Sequence, residues 1–494
     1  MTQVNPDPGT DRRPRLSPRR LVSETALYGL AGGLGKALAL FTVPILSRTL
    51  GPGDYGLADL AVGFSALAVT IVMFAGDIPA ARLRGLTANT SERQVIVTSW
   101  VAASIALAVG GTLILLPLAG VIAREVWAAP AQSQLATLAI LLIPLSAIQA
   151  TLANVLRIEG RAVASAAMAI VDLVAQLALA ITLVLLGLGP TGVVVGFILG
   201  STVGLVAAAL TAAPHFTRAV RPRLAGQIVA AGLAFLPAAT VFIVSEYVVR
   251  SEVATILGTT AVGQLAVATR LASVMLLVSA AFSLAWGPHG LVRRPGPETT
   301  QVVGAVLELF TVGTVAATVG IAAFGPEIVT LISGSTFSPA AEALPGLTLA
   351  AAMSGIFYVL VIAAGIGDRK RAVPVAAFVG GATQIVLTGL LVVPFGLAGV
   401  GVSAFAARAV SIVILGIDTR HIVGHRPIVW MSLGAAAPMI GLLELAAHVP
   451  EATFAFRLAV LPVLALVLLL MWRRWLAPNL RVLSEGRSGH APVR

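Results

Sequence analysis

Apolar runs of about twenty residues, parted by short polar segments, recur along the whole 494-residue chain. A helix needs about 20 mostly apolar residues to cross the hydrocarbon core of a bilayer. Within lipid every backbone polar group must be satisfied internally, which favours helices as the spanning unit. The pattern predicts an all-α, polytopic membrane protein of about fourteen transmembrane helices. Their limits fall near 23–47, 57–80, 95–122, 133–156, 162–186, 191–213, 227–249, 262–286, 300–324, 340–366, 372–394, 396–417, 428–447 and 455–475. The first run lacks a small-residue cleavage site and is longer than a signal-peptide core, so it reads as a retained span. Residues 1–22 and 476–494 read as polar cytoplasmic tails. The connections are short, so no soluble domain is expected on either side.

The basic residues sharpen this picture because they fall on alternate ends of the runs. With a cytoplasmic N-terminus, the inner segments hold Arg82, Arg84, Arg93, Arg157, Arg161, Arg218, Arg221, Arg223, Arg293, Arg294, Arg369, Lys370, Arg371, Arg420 and Arg426. The outer segments hold only Arg48, Arg124, Arg250 and Arg457. That asymmetry follows the positive-inside rule and predicts an even span count with both termini cytoplasmic. Composition agrees: 58% hydrophobic and 11% charged residues, with mean hydropathy +0.97, exclude an ordinary soluble globule. A net charge of +11 would suggest a nucleic-acid partner in a soluble protein. Here the charges are topology signals, and no nucleic acid is expected. The chain has no cysteine, which excludes disulfides, thiolate catalysis and iron–sulfur clusters; no metal and no cofactor are expected.

A repeat runs through the chain. Leu50-Gly51-Pro52-Gly53-Asp54-Tyr55-Gly56 follows the first span, and Leu257-Gly258-Thr259-Thr260-Ala261-Val262-Gly263 follows the seventh, an offset of 207 residues. The same offset relates Gly160 to Gly367, and Gly189 and Gly192 to Gly396 and Gly399, at equivalent topological points. Six spans per copy is an even number, so both copies share one orientation, related by an axis along the membrane normal. The expected domains are a six-helix lobe at 23–213, a second at 227–417 and an accessory helix pair at 428–475. Two such lobes form the usual frame of an alternating-access transporter.

Three basic residues lie within spans: Lys36, Arg270 and Arg408. Each costs about 2.5–3.5 kcal/mol at a helix centre, so each needs a wet cavity or a partner. In one reading they bind a pyrophosphate, arginine with a planar fork and lysine as a point charge. In the other they pair with neighbouring helices or, for Arg270 near the outer boundary, snorkel to the interface. Asp172 lies near mid-span with Gln176 one turn on, and Glu308 lies two turns into the ninth span. Either these groups relay a proton or bind a cation, or they are structural partners of the basic residues. Glu246 reads as a solvated interface residue, and His421 and His425 as cytoplasmic loop residues. Gly29 and Gly33, and Gly196, Gly200 and Gly204, make small-xxx-small ridges for close helix packing. Gly35-Lys36 lacks the rest of a phosphate loop: Leu30 stands where glycine is needed and Ala37 where Ser or Thr is needed.

The segment from Leu46 to Leu57, Leu46-Ser47-Arg48-Thr49-Leu50-Gly51-Pro52-Gly53-Asp54-Tyr55-Gly56-Leu57, resembles the signature after the first span of polysaccharide and oligosaccharide flippases. These belong to the multidrug/oligosaccharidyl-lipid/polysaccharide (MOP) exporter superfamily. The stretch from Leu257 to Leu271, with Gly263 and Arg270, resembles its second-lobe counterpart, departing at Val262 where an aromatic residue is usual. The resemblance extends over about residues 20–475 in span number, repeat and loop lengths, and fourteen-span members are similar to lipid II flippases. It implies movement of an undecaprenyl-pyrophosphate-linked sugar to the outer leaflet. It also implies a groove for the lipid tail between the last two helices, and glycan polymerase and glycosyltransferase partners. Two other readings are weighed against it. A cation-coupled multidrug exporter usually has twelve spans and acidic cavities, against the fourteen spans expected here. A membrane glycan polymerase or glycosyltransferase needs a sizeable outer loop carrying an acid/base pair, and the outer loops are short; an enzyme is not expected.

Overall fold

The structure, a computed structural model, describes residues 18–291, 296–367 and 371–424. The accessory pair expected at 428–475, the tail at 476–494 and Arg293, Arg294, Arg369, Lys370, Arg426 and Arg457 lie outside the described residues. Those described are helical, with no strand among them. In chain order the helices are α1 (Pro18–Val72), α2 (Asp77–Leu86), α3 (Thr90–Leu115), the short α4 (Ala119–Val121), α5 (Ser133–Ile158), α6 (Ala162–Leu185) and α7 (Gly189–Ala212). There follow α8 (Pro222–Leu257), α9 (Thr259–Leu291), α10 (Pro297–Ala323), α11 (Gly325–Ser333), α12 (Ala340–Ile366) and α13 (Ala372–Val423). Nine segments among the described residues are long and apolar enough to cross a membrane. Phe41, Leu210 and Val393 are each more than 70% exposed, as lipid-facing side chains are. The protein is a multi-pass membrane protein.

Glycine explains where the longest helices turn. Gly51 divides α1 at φ 72°, ψ 171°, and Gly258 separates α8 from α9 at φ 88°, ψ 172°. Gly189 opens α7 at φ 58°, and Gly396 divides α13 at φ 55°. Both pairs are 207 residues apart, so the repeat seen as letters is a repeat of left-handed backbone that other residues adopt only at a cost. The arms of α13 fold against one another: Thr388 and Ser403 share a 2.7 Å hydroxyl hydrogen bond, and Ser411 donates to the Ala376 carbonyl at 2.9 Å. The third pair departs from the expectation, because Gly160 has φ 75° while Gly367 has φ −82°.

Helices α1–α7 pack among themselves, as do α8–α13, and the two halves meet chiefly along α1 and α9. One apolar cluster crosses that seam, joining Tyr55, Leu57 and Ala58 of α1 to Val262, Leu265 and Ala266 of α9. Within the first half, the ridge Gly196, Gly200 and Gly204 of α7 lies directly on α6. A methyl at Gly200 would strike the Gln176 backbone, and one at Gly204 would sit 2.6 Å from Asp172 Oδ1. Gly33 makes no such approach; its nearest neighbour is Leu277 at 4.0 Å.

Two expected boundaries are corrected. The span expected at 57–80 breaks at Phe74 and Ala75, which have φ 44° and 50°, before α2 resumes at Asp77. Hydropathy carries no signal for this break, which is held by packing: Phe74 is 1% exposed, and Gly232 of α8 lies so close that a methyl there would strike the Phe74 carbonyl. The spans expected at 227–249 and 262–286 are longer, because Gly258 alone reverses the chain. Arg250 is therefore a residue of α8 and not of an outer loop.

Candidate functional site

At one end of the seam, the two motif glycines interlock. A methyl on Gly56 would run into the Thr259 carbonyl, and one on Gly263 into the Pro52 carbonyl, so the backbones touch where only hydrogen fits. One turn further along α1, Asp59 accepts from Arg250 Nε at 2.9 Å and from Arg270 Nη2 at 3.0 Å. One carboxylate of the first half thus holds two guanidinium groups of the second. The Arg270 guanidinium also lies 4.8 Å over the Tyr55 ring, which meets Phe337 edge-on at 5.9 Å. Arg48 of α1 donates to the Leu331 carbonyl of α11. Ser251 of α8 donates to the Val126 carbonyl at 2.8 Å, and Trp127 Nε1 donates to the Tyr247 hydroxyl at 2.8 Å. Together these contacts clamp the halves shut at this end of the seam. Arg270 Nη1 and the Tyr55 hydroxyl are buried within the clamp without a hydrogen-bond partner.

Arg408 lies elsewhere. It lines a cavity of about 130 Å³ walled by α8, α9, α12 and α13, with no wall from the first half. Its guanidinium sits 4.9 Å from the Phe242 ring and 5.5 Å from the Phe357 ring. Glu246 borders the same cavity, and its side chain is 60% exposed.

Asp172 and Gln176 come together in the first half. Gln176 Nε2 donates to Asp172 Oδ2 at 3.0 Å and to Ser201 Oγ at 2.9 Å, and Ser201 shares a hydroxyl hydrogen bond with Ser146 at 3.0 Å. Asp172 Oδ1 is buried without a partner. The carboxylate borders a pocket of about 360 Å³ between α5 and α6 that also takes in Gln149, Asn154 and Arg157. Lys36 is a residue of α1, but its side chain lies outside the described residues; the adjacent Gly35 passes α6 beside Leu173. Glu308 is buried on α10 and borders neither cavity. The six candidates therefore do not form one site. Arg270 belongs to the clamp, Arg408 to the second-half cavity, and Asp172 with Gln176 to the first half.

The sequence profile of the polysaccharide biosynthesis protein family matches residues 45–342. The chain belongs to this family. The matched segment begins just before the Gly51 turn and includes Asp59, Arg250 and Arg270, so the clamp lies wholly within the family's region. No curated protein matches the chain in sequence. Among solved structures, the fold is similar to that of the lipid II flippase MurJ in an inward closed conformation. The TM-score is 0.71 at 12% identity, over 91% of this chain and 99% of that one. It is also similar to a multidrug resistance MATE family transporter of the MOP superfamily in inward-facing and outward-facing conformations. Each gives a TM-score of 0.52, at 18% and 17% identity, over 85% and 84% of this chain and 98% of the other. The family member described here thus has the fold of MOP-superfamily transporters.

Two residues of the site were missed by sequence reasoning, Asp59 as a partner and Arg250 as a helix residue. A signal existed: Asp59 follows Tyr55 by one turn, directly after the glycine motif, in a span otherwise free of charge until Asp77.

Proposed function

We propose that this protein carries a polyprenyl-pyrophosphate-linked oligosaccharide from the cytoplasmic to the outer leaflet of the bacterial inner membrane by alternating access, with both termini cytoplasmic. The observation that carries the reading is the clamp, in which two repeat-related glycines and one shared carboxylate close the outer side of a seam between two halves. A carrier needs such a closure to be reversible, and both the shared carboxylate and the apolar cluster that crosses the seam beside it must part together. When the halves separate, Asp59 leaves with α1, and Arg270 and Arg250 remain with the second half. Arg270, with an unused donor already present, then offers a planar fork to a pyrophosphate. Lys36, a residue of α1, is the expected source of a second charge. Membership of a polysaccharide biosynthesis family and a fold shared with a lipid II flippase support this cargo class.

No catalytic step is needed. Moving a doubly charged headgroup outward across 100 mV, inside negative, is downhill by about 4–5 kcal/mol. The buried oxygen of Asp172, hydrogen-bonded through Gln176 to Ser201, supports a proton relay in the first half that resets the carrier. The partners of this reading are the glycosyltransferases that build the cargo and the polymerase that consumes it. Depletion of the protein in its host tests the proposal: the lipid-linked precursor accumulates on the cytoplasmic side and surface glycan falls. Normal export without accumulation overturns it.

A further inference from the structure

The second-half cavity contains a cation without a protein counter-ion at contact distance. Among the described residues, Arg408 makes no hydrogen bond and no ion pair; its contacts are the two aromatic faces. Stacking on aromatic rings offsets only part of the cost of withdrawing a guanidinium from water. Glu246, the one carboxylate on the cavity wall, acts on Arg408 only beyond ion-pair distance and lies 3.8 Å from Arg250. The amide of Gln384 also faces the cavity and has no hydrogen-bond partner among the described residues. The Ser245, Ser273, Ser354 and Ser411 hydroxyls on the wall donate to carbonyls of their own or neighbouring helix turns. The free donors are therefore the Arg408 guanidinium, the Gln384 amide and the Thr269 hydroxyl, which also makes no hydrogen bond among the described residues. Gly381 lets α13 pass close to α8 at this wall, since a methyl on it would sit 3.1 Å from Val241 and 3.6 Å from Ser245 Oγ.

We propose that this cavity binds a small inorganic anion, of the size of chloride or a single phosphate, between Arg408 and Gln384. Its volume of about 130 Å³ is roughly ten times the space one water needs. That admits a hydrated halide or one tetrahedral oxyanion and excludes a lipid-linked oligosaccharide, so the site is separate from the cargo path and does not rest on the cargo reading. It also reaches the clamp. Arg250 lines the cavity while its Nε is held by Asp59, so an anion in the cavity competes with Asp59 for Arg250 and loosens the outer closure.

The test uses the purified full-length protein in detergent. Its thermal midpoint is followed against sodium chloride, and separately against sodium phosphate, with sodium gluconate holding sodium and ionic strength constant. The expected result is a saturable rise with chloride or phosphate. Arg408→Gln and the isosteric Gln384→Glu, which places a carboxylate beside Arg408, each weaken the apparent affinity about tenfold or more. A midpoint independent of anion identity, or an unchanged affinity in both variants, overturns the site. If Glu246→Gln alone creates the anion response and the wild type lacks it, Glu246 is the counter-ion and the proposal fails. The link to the clamp is read by external maleimide labelling of a cysteine placed at Ala266, which is faster in chloride than in gluconate; equal rates remove that link.

Discussion

Replacing Asp59 with asparagine removes the charge that holds two arginines across the seam while keeping the side chain's size. The carboxylate accepts at 2.9 Å from Arg250 and 3.0 Å from Arg270, and its side chain is 11% exposed, against 18% and 31% for the two arginines. Hydrogen bonds to charged groups contribute about 1.5–3 kcal/mol each when buried. Water reaches part of both guanidiniums and screens the loss, which brings the combined effect to about 2–3 kcal/mol. Because the bonds exist only while α1 is held against α8 and α9, the loss falls on the state in which the clamp is closed. The ratio of outer-closed to outer-open molecules then drops roughly 30- to 140-fold. The chain has no cysteine, so a single Ala266→Cys reporter, at a position 2% exposed between Gly263 and Arg270, can be labelled from outside with an impermeant maleimide. Labelling accelerates strongly in the Asp59→Asn background and in Arg270→Gln. It stays unchanged with Asp54→Asn, an exposed carboxylate of the same motif. Equal rates in Asp59→Asn and the parent refute the reasoning.

Three further outcomes follow from the packing. Gly263→Ala forces a methyl into the Pro52 carbonyl, a backbone contact that no rotamer change relieves; overpacking of about 1–3 kcal/mol lowers the thermal midpoint and raises Ala266→Cys labelling together. Gly200→Ala, pressed against the Gln176 backbone, destabilises the first half by a similar amount without altering outer labelling, which separates global stability from the clamp. Ala75→Gly relieves a left-handed alanine at φ 50° and raises the thermal midpoint by the equivalent of about 1 kcal/mol; a fall shows that the Ala75 methyl outweighs the strain.

The membrane class, the helical fold and the 207-residue repeat were legible in the sequence because each is written in local letters: apolar runs, flanking arginines and glycines at turns. Gly51, Gly258, Gly189 and Gly396 carry that signal directly in their left-handed backbone. The clamp was only half legible. Arg270 stood out as a cation in a span, but its partner Asp59 is 211 residues away and the second arginine 191 residues from that partner. No spacing rule links such residues; only the meeting of α1 with α9 does. Arg408 and Arg270 were both candidate pyrophosphate ligands in the sequence, and the structure separates them because the cavity around Arg408 has no wall from the first half. The break at Phe74 was hidden for a related reason, since Gly232, which makes room for it, belongs to the other half of the chain.

Reconstituted transport tests the central claim most directly. Purified protein is placed in liposomes holding a fluorescent polyprenyl-pyrophosphate oligosaccharide, and the label reaching the outer leaflet is read by an impermeant quencher while an inside-negative potential is imposed. The account predicts protein-dependent flipping that is accelerated by the potential and abolished by Arg270→Gln, with the variant still folded by its thermal midpoint. Label that remains where it began in the presence of folded wild-type protein, or flipping indifferent to Arg270, contradicts it.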